Sequence, residues 1–393
     1  MRTVDDLEDA IADEALQVNA KRQPKVELGK LADLLERSGI SLADVAKVNR
    51  VNAWQGFMKG EDGKPEMVDL VGIQLTPNWA EGPKWPVVQQ AAPTVVRPLK
   101  PGKPDSTGWE TAVILPDTQF GFRMLKDGAL DPFHDELALA AALAVVRKTK
   151  PELIILLGDF LDLAAHSKYV QEPSFAFTTQ QAVNRAHLFL AELRAIVPNA
   201  RIVVLEGNHD LRLQKSIMVN AAASFGLQRA NLPESWPVLT VPHLCRFDDL
   251  NVEYASGYPA TKVWVNDNLV CIHGSKVRSG KSTAAAVIDD ERVSTIFGHV
   301  HRIELQHKTR NVRGGGKQSL AATPGCLCRI DGAVPSLKGG IDLLGRPLRS
   351  YEDWQHGVAV VTYMPGDGPF SLELVPIHEG RVIFRSKGFL YEP

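Results

Sequence analysis

The chain has 393 residues, 44% of them hydrophobic and 23% charged, a composition that excludes a wholly disordered protein and suits a large domain with a smaller companion. Lys and Arg number 44 against 46 Asp and Glu, so the net charge of -2 provides no global attraction to nucleic acid or an anionic membrane, and any polyanion must be gripped locally. The 4 cysteines are too sparse for a disulfide framework and read as reduced, buried thiols, and the acidic N-terminus lacks an apolar signal core; both point to a soluble cytoplasmic protein.

Residues 1–76 read as a small α+β module. KVELGKLADLLERSGI predicts a short amphipathic helix stopped at Ser38-Gly39, and VNRVNAWQGFMKGEDGKPEMVDLVGIQL predicts two strands around a turn between Gly60 and Gly63. A linker over 77–108 follows, with seven prolines between Pro77 and Pro104 and two indoles, Trp79 and Trp85, expected to dock on a surface.

From residue 109 to 393 a pattern recurs: an apolar run of strand length, then a polar cluster. The runs AVILPD, LIILLGDFLD, RIVVLEGNHD, LVCIHGS and STIFGHVH are continuous enough for strands buried on both faces. Between them DELALAAALAVVRKTK and TTQQAVNRAHLFLAELRAIV have helical periodicity, so the domain is α/β. In such sheets ligands bind at the carboxyl ends of the strands, and every polar cluster leaves a strand at that end.

Those loops bring together Asp117, Gln119, Asp159, Asp162, Asn208, His209, Asp210, His273, His299 and His301, all oxygen or imidazole donors and none a thiolate. The set predicts a catalytic site for Mn, Fe, Zn or Mg rather than a structural cysteine-zinc site. A bridging carboxylate lets such a cluster hold two divalent ions about 3.5–4 Å apart, which activate water and clamp an in-line phosphoryl displacement.

Five ordered blocks, PDTQ at 116–119, GDFLD at 158–162, GNHD at 207–210, HG at 273–274 and GHVH at 298–301, resemble those of the calcineurin-like metallophosphoesterases. The resemblance implies a four-layer αββα sandwich of two mixed sheets. It assigns one metal to Asp117, Gln119, Asp159 and His301. The other shares Asp159 and takes Asn208, His273 and His299. It implies attack by metal-bound hydroxide, with His209 as the general acid that protonates the leaving oxygen and Asp162 orienting it. Gln119 stands where the family has histidine; a neutral, harder amide oxygen is expected to weaken that site and favour manganese. Leu163 after Asp162 and Asp210 after His209 depart from the protein phosphatases and favour the phosphodiesterase and nuclease branch. The order GHVHR, TPGCLCR and WQHGVAVVTY is similar to bacteriophage phosphoesterases, which would place the protein in a host bacterial cytoplasm.

The expected substrate is a phosphodiester, in DNA or another nucleotide. A phosphomonoesterase is the alternative among enzymes, and a non-catalytic metal-bound scaffold recruiting a partner through the N-terminal module is the alternative of another class. Lys276, Arg278, Arg302 and His166 are candidates for contact with substrate. HGSKVRSGKST fails the phosphate-loop template because position 275 is Ser. QHKTRNVRGGGK reads equally as a phosphate-gripping flap or a solvated hairpin tip.

Overall fold

The structure, a computed structural model, describes residues 45–60, 64–77, 108–168, 172–231, 234–278, 282–335, 341–384 and 389–391. The expected N-terminal helix and the proline-rich linker with its two tryptophans lie outside them. The chain divides into two units, Met1–Pro93 and Thr94–Pro393.

In the first unit β1 (Val45–Lys59) pairs antiparallel with β2 (Pro65–Pro77). The Gly60 N–H donates to the Lys64 carbonyl at 2.9 Å and closes the turn, as the flanking glycines predict.

The second unit contains two large mixed sheets. Its first strand, β3 (Glu110–Leu115), is followed by a small ribbon of β4 (Phe122–Met124) and β5 (Leu130–Pro132), then α1 (Glu136–Thr149), β6 (Leu153–Leu156), α2 (Thr179–Ile196) and β7 (Arg201–Leu205). Helix α3 (Leu211–Asn220), the short α4 (Val241–Leu244) and α5 (Phe247–Leu250), and β8 (Val252–Ala255) come next. Then follow β9 (Val263–Asn266), β10 (Leu269–Ile272), α6 (Thr283–Asp290), β11 (Ser294–Phe297), β12 (Ile303–Val312), β13 (Gly315–Pro324), β14 (Gly357–Tyr363), β15 (Phe370–His378), β16 (Arg381–Phe384) and β17 (Phe389–Tyr391). The eight-stranded sheet runs β17-β16-β15-β14-β3-β6-β7-β8, with β3, β6, β7 and β8 parallel. The five-stranded sheet runs β12-β13-β11-β10-β9, parallel across β10, β11 and β13.

The alternation of side chains along β3 explains the layering. Val113 and Leu115 join a core with Ala138, Leu139 and Val145 of α1 and Phe189 and Leu190 of α2. Ala112 and Ile114 point the other way, packing with Leu269, Cys271 and Ile296 of the second sheet. That sheet's outer face carries Phe297 and Ala321 against Ala284, Val287 and Ile288 of α6. Helix, sheet, sheet and helix therefore form the four layers expected. Each fully buried Ile or Leu contributes on the order of 2 kcal/mol.

Local signals agree with this arrangement. The Asp135 carboxylate caps α1 by accepting from Ala138 N at 2.8 Å, and Lys150, at φ 47°, ends it. The basic glycine-rich segment is a regular hairpin of β12 and β13, with Lys308 paired to Asp289 and Arg310 donating to Ser319 Oγ at 2.8 Å. The segment is thus a hairpin, and two of its four cations, Lys308 and Arg310, have partners.

The loops leaving β3, β6, β7, β10 and β11 are stitched side by side. Gln119 N donates to Asp159 O at 2.8 Å, Phe120 N to Phe160 O at 2.9 Å, and Gly298 N to His273 O at 3.0 Å.

Candidate metal centre

Asp117 and Gln119 leave β3, and His299 and His301 leave β11. Both oxygens of the buried Asp117 carboxylate accept from His299 N, at 3.0 and 3.1 Å. His301 Nε2 lies 3.4 Å from Asp117 Oδ1 and 3.2 Å from Gln119 Nε2. Gln119 Oε1 is buried with no hydrogen-bond partner. Asp117, Gln119 and His301 thus form one set, and the amide reaches the imidazole it would share a metal with.

Asp159, His273 and His299 form the second set, their donor atoms all within 4.8 Å of one another. Asn208 joins it, its Oδ1 3.1 Å from His273 Nε2, which lies 3.3 Å from Asp159 Oδ1. His273 Nδ1 donates to the Leu157 carbonyl at 2.7 Å, so the ring turns its other nitrogen toward the two oxygens. Three acceptor atoms meeting there call for a cation or a proton between them. Burial alone would lower the His273 pKa, yet Asp159 and Asp117 carry it up to about 9. Burial and the neighbouring His273 push His299 down to about 4. The orphaned Gln119 oxygen, the facing acceptors and the carboxylates drawing positive charge all fit divalent ions held through oxygen and nitrogen.

Two local features build this crowding. A methyl group at Gly207 would lie 2.1 Å from Asp159 N and 2.2 Å from its Oδ1, and one at Gly298 would lie 2.7 Å from Asp117 Oδ2. Asp117, Gln119, Asp159, His299 and His301 all adopt positive φ, between 36° and 73°. Side chains with a Cβ rarely take that conformation, and its concentration in one cluster marks strained backbone at a functional site.

Beside the second set His209, Asp162 and Arg212 lie in mutual contact. His209 N donates to Asp159 Oδ1 at 2.8 Å. His209 Nδ1 is 3.2 Å from Asp162 Oδ2, an ion-pair distance without hydrogen-bond alignment, since both atoms lack a hydrogen-bond partner. Arg212 completes the group. Its Nη1 donates to Asp162 O at 2.7 Å and Oδ1 at 3.2 Å, and its Nη2 lies 2.8 Å from His209 Nε2. Burial would raise the Asp162 carboxyl, but the Arg212 guanidinium and His209 outweigh it and hold it below its ordinary value.

Asp210 is a brace between loops. Its Oδ1 accepts from Leu161 N at 2.9 Å, and its Oδ2 from Phe160 N at 3.2 Å and Gly207 N at 2.9 Å. Burial and the neighbouring Asp159 push its carboxyl up to about 6 despite those donors.

Two of the candidate substrate contacts have side-chain partners of their own. Lys276 pairs with Asp290, and Arg302 reaches Glu304 Oε1 at 3.1 Å and donates to Thr283 Oγ1 at 2.9 Å. The Arg278 carbonyl accepts from Arg302 Nη2 at 3.2 Å. His166 occupies a one-turn helix, Ala164–His166, where burial lowers its pKa. Sequence reasoning missed Arg212, whose only trace is its place one turn after His209 in GNHDLR. It also missed two thiols: Cys328 Sγ lies 3.7 Å from His301 Nδ1, and Cys326 is close by in the same cluster. His301 Nε2 faces the carboxylate, so the thiols flank the centre behind the ring.

Residues 114–308 match the family model of the calcineurin-like phosphoesterases. The Gene 54 protein of Mycobacterium phage D29 is 27% identical over 293 residues, covering 71% of this chain and 98% of that protein. Its counterpart in Mycobacterium phage L5 is 26% identical over 282 residues, covering 68% of this chain and 94% of that protein. Among solved structures, Yfce, a phosphoesterase from E. coli, aligns with a TM-score of 0.26 and 10% identity over 67% of this chain and 98% of its own. TT1561 of Thermus thermophilus aligns at 0.23 with 11% identity, over 56% and 90%. Likenesses that distant say nothing of the site. Among the described residues, no helix is long and apolar enough to cross a membrane.

Proposed function

Because residues 114–308 form a calcineurin-like phosphoesterase domain, and the protein is accordingly a metal-dependent phosphoric ester hydrolase, we propose that it hydrolyses phosphodiester bonds in DNA or another nucleotide substrate. The observation that carries this reading is a pair of adjoining donor sets, Asp117 with Gln119 and His301, and Asp159 with Asn208, His273 and His299, with His209 N bonded to the Asp159 carboxylate at 2.8 Å.

Asp117, Gln119, Asp159 and His301 would hold one ion, and Asp159, Asn208, His273 and His299 the other, with manganese favoured by the neutral amide. When bound, the ions activate the attacking water and neutralise charge on the phosphoryl oxygens. The Leu157 carbonyl keeps a proton on His273 Nδ1 and so presents Nε2 as donor. His209 delivers a proton to the departing oxygen, and Asp162 sets the ring orientation from the Nδ1 side. Leu163 is buried and Asp210 braces loops, so neither supplies the Arg and Glu of the protein phosphatases, which favours a diester over a phosphoprotein. In this reading 1–76 is a small N-terminal module, 77–108 a linker and 109–393 the catalytic domain. The phage relatives support action in a host bacterial cytoplasm.

The test compares bis(p-nitrophenyl) phosphate with p-nitrophenyl phosphate, then single- and double-stranded DNA, on protein loaded with each candidate metal. Faster turnover of the monoester, or no hydrolysis with any metal, rejects the diester reading. His209→Ala should lower kcat for the diester by about 10²–10⁴; undiminished turnover removes His209 from the chemistry.

A further inference from the structure

We propose that Arg212 is a substrate-phosphate ligand, held on His209 in the free protein and transferred to the phosphoryl oxygens when substrate binds. This rests on the reading of His209 as the group that protonates the leaving oxygen.

A leaving oxygen that takes a proton from His209 Nε2 must approach that nitrogen to about 2.6–3.2 Å. Arg212 Nη2 occupies that place, at 2.8 Å. On its other side lies Asp159 Oδ2, at 3.7 Å. A guanidinium only donates, so Nε2 is an acceptor in this contact; substrate displaces Nη2, and Nε2 then takes up from solvent the proton that it passes to the leaving oxygen.

The guanidinium need not leave with it. Nη1 stays tied to the Asp162 carbonyl at 2.7 Å and to Oδ1 at 3.2 Å, so the fork pivots about one fixed tine. The released Nη2 then lies beside the incoming phosphate, and a planar guanidinium matches phosphate oxygens in charge and geometry. The side chain is 13% exposed, while that of Asp162 is fully buried, so Arg212 is the member of the pair that substrate meets.

Two other cations near the cleft are engaged elsewhere: Lys276 holds Asp290, and Arg302 holds Glu304 and Thr283. Arg212 contacts the acid directly, from the first turn of α3. It replaces the cation that Leu163 does not provide, from a different element.

The experiment uses the full metal-loaded chain, bis(p-nitrophenyl) phosphate as substrate and inorganic phosphate as competitive probe. Arg212→Ala should weaken phosphate inhibition about tenfold or more, raise KM and lower kcat; Arg212→Lys, with charge but no fork, should lose less. His209→Ala should lose kcat yet bind phosphate at least as tightly as the parent, because the contact Arg212 must give up has been removed. Unchanged phosphate inhibition in both Arg212 variants overturns the proposal, as does a His209→Ala protein that loses phosphate as severely as Arg212→Ala. Arg212→Lys decides the matter if the alanine variant does not fold. An intact kcat in His209→Ala instead condemns the assignment of His209, while the phosphate constants still report on Arg212.

Discussion

Asp210 is the residue whose replacement most sharply separates architecture from chemistry. Its carboxylate accepts three backbone N–H groups, from Phe160, Leu161 and Gly207, and is 1% exposed. Phe160 and Leu161 follow the proposed ligand Asp159, and Gly207 precedes Asn208, so one side chain fixes the spacing of the two loops that carry them. Asp210→Ala leaves all three donors buried and unmet. At about 1–3 kcal/mol each, reduced by partial relaxation, the cost is about 4 kcal/mol. Asp210→Asn keeps one acceptor oxygen and turns an NH₂ toward the remaining donors, for a cost of about 2 kcal/mol. Urea unfolding should show both losses in the transition midpoint, with metal content by mass spectrometry falling in the same order. If Asp210→Asn lost hydrolysis with its unfolding midpoint and metal content unchanged, the brace would be refuted and Asp210 would belong to the chemistry.

Gly207→Ala should cost about 3 kcal/mol and lower metal stoichiometry, because its methyl group meets the Asp159 backbone and carboxylate at 2.1 and 2.2 Å; retention of both ions in titration calorimetry would show that the loop yields. Gln119→His should tighten one metal site about tenfold by equilibrium dialysis, since the orphaned amide oxygen gives way to imidazole; unchanged affinity would place residue 119 outside the coordination sphere. The Arg185 hydrogen bonds depress the Glu136 carboxyl below its ordinary value, so its stabilisation is present above the unfolded carboxylate range and disappears as the pH falls. With Glu136 half exposed, Glu136→Gln should cost under about 1 kcal/mol at pH 7, a difference from the parent that shrinks as the pH is lowered below the ordinary carboxylate range, read from urea midpoints at successive pH values; a difference that does not change with pH would refute the pairing.

The layers were legible because the strands of the core are apolar on both faces, so each run of Val, Ile and Leu announced a strand covered twice. The clustering of Asp117, Asp159, Asn208, His273, His299 and His301 was legible for a related reason: each closely follows such a run, where the topology gathers loops. Arg212 was not, because a single arginine on a helix declares neither the direction of its side chain nor the loop it meets, and Asp162 lies 50 residues away in sequence. Cys328 was hidden similarly, since the segment between β13 and β14 must fold back to bring a thiol behind His301. Lys276 and Arg302 were attractive as cleft cations until their acidic neighbours came into view; charge is written in sequence, but partnership is not. The tie between Asp210 and the Asp159 loop required three-dimensional register, which the motif alone does not supply.

The left-handed backbone at Asp117, Asp159, His299 and His301 bears on how these positions can mutate. Among residues with a side chain, Asp, Asn and His accept that conformation most readily, and they are also the residues whose short side chains supply donors. Two filters therefore select the same small alphabet. Asp117→Asn and Asp159→Asn cross one filter alone, removing charge while keeping the turn, whereas Asp117→Val crosses both. A mutational scan of this loop edge should consequently reveal a narrow neighbourhood of folded, inactive proteins around the functional sequence, reached through asparagine and largely closed to branched side chains.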